Sequence, residues 1–382
     1  MNSPKKFQTG NILLISLAHF IHDVYSSFLA PILPLLIEKF SMSYSLAALL
    51  TIAQRLPSLF NPFVGLLADK ISLKYFVILS PSITVIAMSL LGLAPSYIFL
   101  VIILLAMGVS ASMFHVPAPV MIKQVAGERI GKGMSFFMLG GELARSVGPI
   151  VILGGVSLWG LEGTYRLIPF GLTASILLYF RFKNLFVPQA TQKIKTKNVY
   201  GAFRKLLPLF TIILGITFFN SIIKGTLTTF LAVYLTGKGE SLWYAGIALS
   251  IFQFAGAAGT FFSGTISDKI GRKKVLLFAS IMNPILFYLF IISSTMFSFV
   301  FLILLGFFIF AFTPVLLALV NETKSKFPTF LNGVYMTINF LTSAITISII
   351  GFSADWLSLQ TTYTLAAIIG LGTIPFVLKL EK

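Results

Sequence analysis

The chain has 382 residues, 57% of them hydrophobic and only 10% charged, whereas a soluble domain carries about 25% charged residues. Its mean hydropathy is +0.96, which is more apolar surface than a core in water can hide, so a soluble globular protein is excluded. Net charge is +17, and the absence of cysteine excludes disulfides and thiolate sites.

In lipid the backbone must satisfy its own polar groups. The apolar segments are long and continuous and lack the alternation of a β-barrel, so they read as helices. The first follows MNSPKK and contains His19, His22 and Asp23. It is too long for a signal-peptide core and has no small-residue cleavage site, which predicts an uncleaved span. Hydropathy places spans at 11–37, 44–67, 74–94, 97–122, 133–158, 164–182, 206–235, 242–266, 273–293, 297–320, 332–354 and 361–379. Each is near the ~20 residues that a bilayer requires. The expectation is an all-α membrane protein of twelve helices. One long polar segment, 183–205, carries Pro188, Gln189, Lys193, Lys195, Lys197, Arg204 and Lys205. It reads as a linker between two six-helix bundles, 1–182 and 206–382.

Basic residues give the orientation. Of the 28 Lys and Arg, only Lys39, Arg166 and Lys238 fall in odd-numbered loops, and Arg55, Arg145 and Lys224 fall inside spans. All the others share one side, which predicts cytoplasmic termini and linker in an inner (plasma) membrane protein. The bias also accounts for the positive charge without nucleic acid. Trp159, Trp243 and Trp356 fall at outer span ends, where indole favours the interface.

The two halves repeat. GLLADK (65–70) follows the second span and GTISDK (264–269) follows the eighth, with Gln54 and Gln253 at the same separation. These loops resemble the signature that the major facilitator superfamily carries between its second and third helices. The second copy, with Asp268, Gly271, Arg272 and Lys273, is the fuller. The first has Ser72 and Leu73 where the pattern has glycine and arginine. The resemblance implies a 6+6 bundle with a central cavity and alternating access, and gives Gly65, Asp69, Gly264, Asp268 and Arg272 a part in a conformational gate. Charges at helix ends also suit inter-helix ion pairs, or plain topogenic charge.

HFIHDVYSSFLAPILPLL (19–36), MFHVPAPV (113–120) and MSFFMLGGELARSVGP (134–149) resemble a narrower group, the fosmidomycin-resistance-type exporters. Gly148-Pro149 followed by Gly154-Gly155 partly resembles the antiporter motif of the fifth helix, with Ala144 where glycine is expected. The resemblance implies export.

Ionisable groups inside spans point to function, since each costs about 2.5–3.5 kcal/mol at a helix centre. His19, His22 and Asp23, at i, i+3 and i+4, share one helical face. Asp23 lies about 18 Å into its span, near midplane, at 1.5 Å per residue. Arg55 lies at similar depth. Glu142 and Arg145 are one turn apart in the fifth span, His115 is nearer the cytoplasmic end of the fourth, and Lys224 lies past the middle of the seventh. Asp23, Glu142, His19 and His22 are the candidates for proton coupling. Arg55, Arg145, His115, Lys224, Gln54 and Gln253 are the candidates for substrate binding. Other readings stand beside these. Glu142 and Arg145 can simply neutralise each other, Lys224 can snorkel, and His115 beside Pro117 and Pro119 can serve structure. The histidines with Asp23 are also potential ligands for a divalent metal, although three on one helix turn do not converge easily. Gly140, Ala144 and Gly148, and likewise Ala255, Gly256 and Gly259, form small-residue stripes expected to make tight seams, either static or where the halves slide.

The expectation is a secondary transporter rather than an enzyme: a proton-coupled antiporter exporting a small organic compound, anions included. The alternatives are an uptake symporter, a divalent-metal transporter or a non-transporting sensor. Catalytic constellations and nucleotide loops are absent from the sequence, and no cofactor or metal is expected. The expected partners are a small-molecule substrate, protons and the bilayer, with the chain acting as a monomer.

Overall fold

The computed structural model describes residues 7–61, 64, 74–183, 199–323 and 328–380. These form helices and turns, with no strand among them. By its contacts the chain divides into two compact units, Met1–Ser41 with Leu50–Lys193, and Met42–Leu49 with Ile194–Lys382.

In the first unit, α1 (Thr9–Ser26) and α2 (Leu29–Phe40) make one broken span. Pro31 and Pro34 lack amide donors, which leaves carbonyls free where α1 gives way to α2. α3 (Tyr44–Arg55), whose residues up to Leu49 belong to the second unit, passes into a 3-10 turn, Leu56–Phe60. The expected second span, 44–67, is thus not α-helical throughout, because Pro57 disfavours α geometry in the residue before it. α4 (Lys74–Ser89) and α5 (Tyr97–His115) follow. Pro117 and Pro119 interrupt the fourth span, so α5 stops at His115 and α6 (Ala118–Val125) restarts. α7 (Ile130–Trp159) and α8 (Ile168–Phe182) complete this unit.

The second unit holds α9 (Val199–Gly237), α10 (Leu242–Ile270), α11 (Arg272–Ile292) and α12 (Thr295–Glu322). α13 (Pro328–Leu357), α14 (Leu359–Gly370) and α15 (Thr373–Leu378) follow. Residues 199–205, expected in the linker, are helical. Hydropathy marks where apolar side chains end, not where i→i−4 bonding ends. Among the described residues, nine helical stretches are long and apolar enough to cross a membrane. α3, α4 and α8 supply the remaining three of the twelve spans. Asp355, in the last turn of α13, accepts from the Tyr44 and Ser45 amides at 2.7 and 3.0 Å and from the Ser45 hydroxyl. It thereby serves the free donors at the start of α3.

Each unit packs its own core. The first gathers Ile15, Ile78, Phe114, Phe137 and Phe182, and the second Phe210, Leu276, Phe312 and Tyr335. In lipid the attraction comes from close packing, which small residues permit. Both glycine stripes do this inside a unit. A Cβ at Gly140 would stand 2.6 Å from the Ser16 carbonyl oxygen, and one at Gly148 would stand 2.6 Å from that of Val24, so α7 lies directly on α1. A Cβ at Gly259 would stand 2.1 Å from the Phe307 carbonyl oxygen, and one at Gly306 2.3 Å from that of Phe252, which joins α10 to α12. The sequence left open a sliding role between halves. These seams instead bind neighbours within one unit.

Outside the spans, Lys39 donates to the Gly92 carbonyl at 2.7 Å and to Glu162 at 2.8 Å. The Lys39 ammonium holds the Glu162 carboxyl below its usual value.

Gly259→Ala should lower the thermal midpoint in detergent, because overpacking costs about 1–3 kcal/mol. Gly264→Ala, with nothing within 4 Å of its Cβ, should be neutral or slightly stabilising. Glu162→Gln should be less stable than wild type at neutral pH. The difference should close as pH falls through the lowered value of Glu162, where the wild-type carboxylate is also neutralised.

Candidate functional site

The ionisable residues of the first unit converge on Asp23. One turn of α1 carries it with His19 and His22, and all three are buried. His22 Nδ1 lies 2.9 Å from Asp23 Oδ1, and His19 Nε2 lies 3.4 Å from Oδ2. The third imidazole comes from the end of α5, where His115 Nε2 approaches Oδ1 to 3.3 Å. His115 is the open member of the cluster, with 38% of its side chain exposed. The sequence reading assigned His115 to substrate, but the structure seats it on the carboxylate.

The rings are fixed from several sides. His19 Nδ1 lies 2.7 Å from the Phe137 carbonyl oxygen. That oxygen can only accept, so Nδ1 carries a proton and Nε2 faces Asp23. Phe137 stacks on His19 with centroids 4.0 Å apart, and Phe114 on His22 at 4.9 Å. Gly141 of α7 provides the room, since a Cβ there would come within 2.5 Å of His19 Cε1 and 3.2 Å of Asp23 Oδ2. The far side of His22 meets hydroxyls that the sequence reading passed over. Its Nε2 lies 2.9 Å from Thr84 Oγ1, and Thr84 Oγ1 lies 2.8 Å from Ser110 Oγ. Serine and threonine are common in membrane helices and usually bond their own backbone, so their presence alone carried no signal.

His19, Asp23 and His115 each offer a ligand atom, all within 4.8 Å of one another. The expected obstacle of three ligands on one turn is removed because one comes from α5 and His22 turns to Thr84. The spacing suits a small cation held between imidazoles and a carboxylate, whether a proton or a divalent metal.

Glu142 and Arg145 form the pair that their spacing predicts. Arg55 lies within electrostatic reach of Arg145, so two guanidinium groups share this region with the Glu142 carboxylate. The buried Arg145 Nε has no acceptor among the described residues. Gln54 donates to the Ser26 carbonyl at 2.7 Å. Lys224 belongs to the second unit, its ammonium 4.5 Å from the centroid of Phe310. Gln253 is half-buried on α10.

Of the gate residues, Gly65 and Asp69 lie outside the described residues. In the second copy Arg272 pairs with Asp268 and reaches Glu322 at 2.9 Å, and it donates to the Gly264 carbonyl at 3.2 Å. Glu322 was missed by the sequence reading, because it is distant in the chain and outside the repeated motif. Arg272 therefore ties α10, α11 and α12 of one unit together.

Residues 15–326 and 244–382 match the Major Facilitator Superfamily. The chain belongs to this superfamily. It is a multi-pass membrane transporter and not an enzyme. Superfamily relatives include the Fosmidomycin resistance protein of Escherichia coli (strain K12), 26% identical over 95% of this chain and 90% of that protein. The multi-drug resistance efflux pump PmrA of Streptococcus pneumoniae serotype 4 is 24% identical over 73% of this chain and 72% of the pump. Among superfamily structures, a bacterial homologue of the human lysosomal transporter Spinster, inward-facing and unoccupied, superposes with a TM-score of 0.76. It covers 98% of this chain and 96% of its own at 16% identity. A variant of the nucleoside transporter NupG gives 0.77 over 97% and 100%, also at 16%. These likenesses establish the fold.

Gly141→Ala should push the His19 ring off Asp23. The expected outcome is transport reduced about tenfold or more in vesicles with normal membrane insertion, whereas Gly131→Ala, whose Cβ meets nothing, should transport as wild type.

Proposed function

We propose that this chain is a proton-coupled antiporter that exports a small organic anion, acting as a monomer in the plasma membrane with both termini in the cytoplasm. The observation that carries the proposal is the carboxylate of Asp23 held among three imidazoles, with His115 as its open side. A carboxylate away from water needs a cation beside it. Imidazoles provide one by taking a proton and release it again near physiological pH. Such a group can exchange protons with each side in turn as access alternates. A proton moving down the membrane potential supplies about 2.3 kcal/mol per 100 mV, enough for a useful concentration gradient.

The anionic substrate is supported by the guanidinium groups of Arg55 and Arg145, which lie within electrostatic reach of each other, and by the Nε of Arg145, which has no acceptor among the described residues. Guanidinium forks suit carboxylates and phosphonates. The resistance and efflux proteins among the relatives support export and make fosmidomycin, a phosphonate, the first compound to test.

In inside-out vesicles an acid lumen should drive fosmidomycin inward, and adding fosmidomycin should draw protons out. Asp23→Asn should abolish the accumulation, and Arg145→Ala should weaken it at low concentration. An acid lumen that instead drives the compound out would establish symport. Accumulation that EDTA abolishes and Zn²⁺ restores would replace the proton by a metal. Accumulation that survives Asp23→Asn would remove this aspartate from the coupling.

A further inference from the structure

Three polar groups lie in a row behind His22, and their donor directions can be counted. The Ser80 carbonyl oxygen can only accept, so Ser110 Oγ, 2.7 Å away, spends its proton there. Ser110 Oγ must then accept from Thr84, 2.8 Å away, which spends the Thr84 proton. Thr84 Oγ1 must in turn accept from His22 Nε2 at 2.9 Å. Nε2 therefore carries a proton at all times, and the contact between His22 Nδ1 and Asp23 Oδ1, 2.9 Å, holds the other. Loss of that second proton would leave a bare Nδ1 lone pair facing a carboxylate oxygen, which is repulsive.

We infer that Thr84, fixed in direction by Ser110, is a positioning residue that locks His22 in the tautomer with Nε2 protonated and Nδ1 turned to Asp23. The inference rests on the proton-coupling reading of Asp23 and deepens it. Without Thr84 as an acceptor, a neutral His22 can move its single proton to Nδ1 and donate to the Asp23 carboxylate.

Among the described residues, the other titratable groups facing this pair are His19 of α1 and His115 of α5. α4 presents the Thr84 hydroxyl, and α7 presents Gly141 against His19, with its charged Glu142 and Arg145 bound to each other. The apolar neighbour of the His22 ring is Phe114. None of these offers Nε2 a replacement acceptor.

The test uses the full chain, labelled with ¹⁵N-histidine and reconstituted in lipid, with His22 assigned by comparison with His22→Gln. Nitrogen spectra across a pH series should show His22 Nε2 protonated throughout and Nδ1 alone changing. An unprotonated Nε2 at any pH overturns the inference and needs no variant. Thr84→Val, close to isosteric, should give a neutral Nδ1–H tautomer. Thr84→Ser should restore the wild-type spectrum. A neutral Nε2–H tautomer retained in Thr84→Val would also defeat the inference. If the spectra behave as expected but Asp23→Asn still couples, the tautomer lock stands and the coupling assignment fails. If Asp23→Asn is inert but the spectra do not respond to Thr84, the reverse holds.

Discussion

An ionised carboxylate far from water is tolerable only beside positive charge or hydrogen-bond donors, and much of the first unit is arranged around that requirement at Asp23. α1 supplies the acid and two imidazoles from a single turn. α5 ends, at a proline-interrupted point, with the third. α7 keeps a glycine where any side chain would displace His19, and α4 and α5 place hydroxyls behind His22. The close approach of α1 and α7 along Gly140 and Gly148 brings the Phe137 carbonyl and ring to His19. Backbone packing and site chemistry are therefore one problem, because the cluster exists only at this helix separation.

The internal repeat is one of architecture and not of chemistry. Gln54 and Gln253 occupy matching positions, and the motif loops recur, but the second unit has no counterpart of the histidine–aspartate cluster among its described residues. It has Lys224, whose charge faces the Phe310 ring. The second unit concentrates its acids at helix ends instead. Arg272 gathers Asp268 and Glu322, and Asp355 serves the start of α3. A duplicated fold can thus differ in content, with a buried histidine–aspartate cluster in one unit and helix-end ties in the other.

Much of the fold was legible in the sequence because the membrane simplifies the problem. Twelve apolar stretches, the bias of basic residues and the tryptophan positions need only a hydropathy scale and a sense of direction. The Glu142–Arg145 pair was legible as well, because i, i+3 residues meet on any helix. The contact of His115 with Asp23 was not legible, since sequence spacing says nothing about which neighbour a helix end meets. Thr84, Ser110 and Glu322 were passed over because hydroxyls are cheap in lipid and a lone acid at a span end resembles ordinary topogenic charge. The short α3 and the helical residues 199–205 escaped for a related reason, since hydropathy does not report backbone bonding.

By itself the sequence determined the medium, the number of crossings and which side chains must live where water is scarce, since these depend on composition and on the fixed rise of a helix. Only the tertiary structure decided which atoms face one another: three imidazoles on one carboxylate, a hydroxyl row that spends its protons in one direction, and glycines placed where rings need room. The physical reason is that helical periodicity sets the face of a single helix, whereas partners, donor directions and clearances arise only when several helices are packed at defined distances.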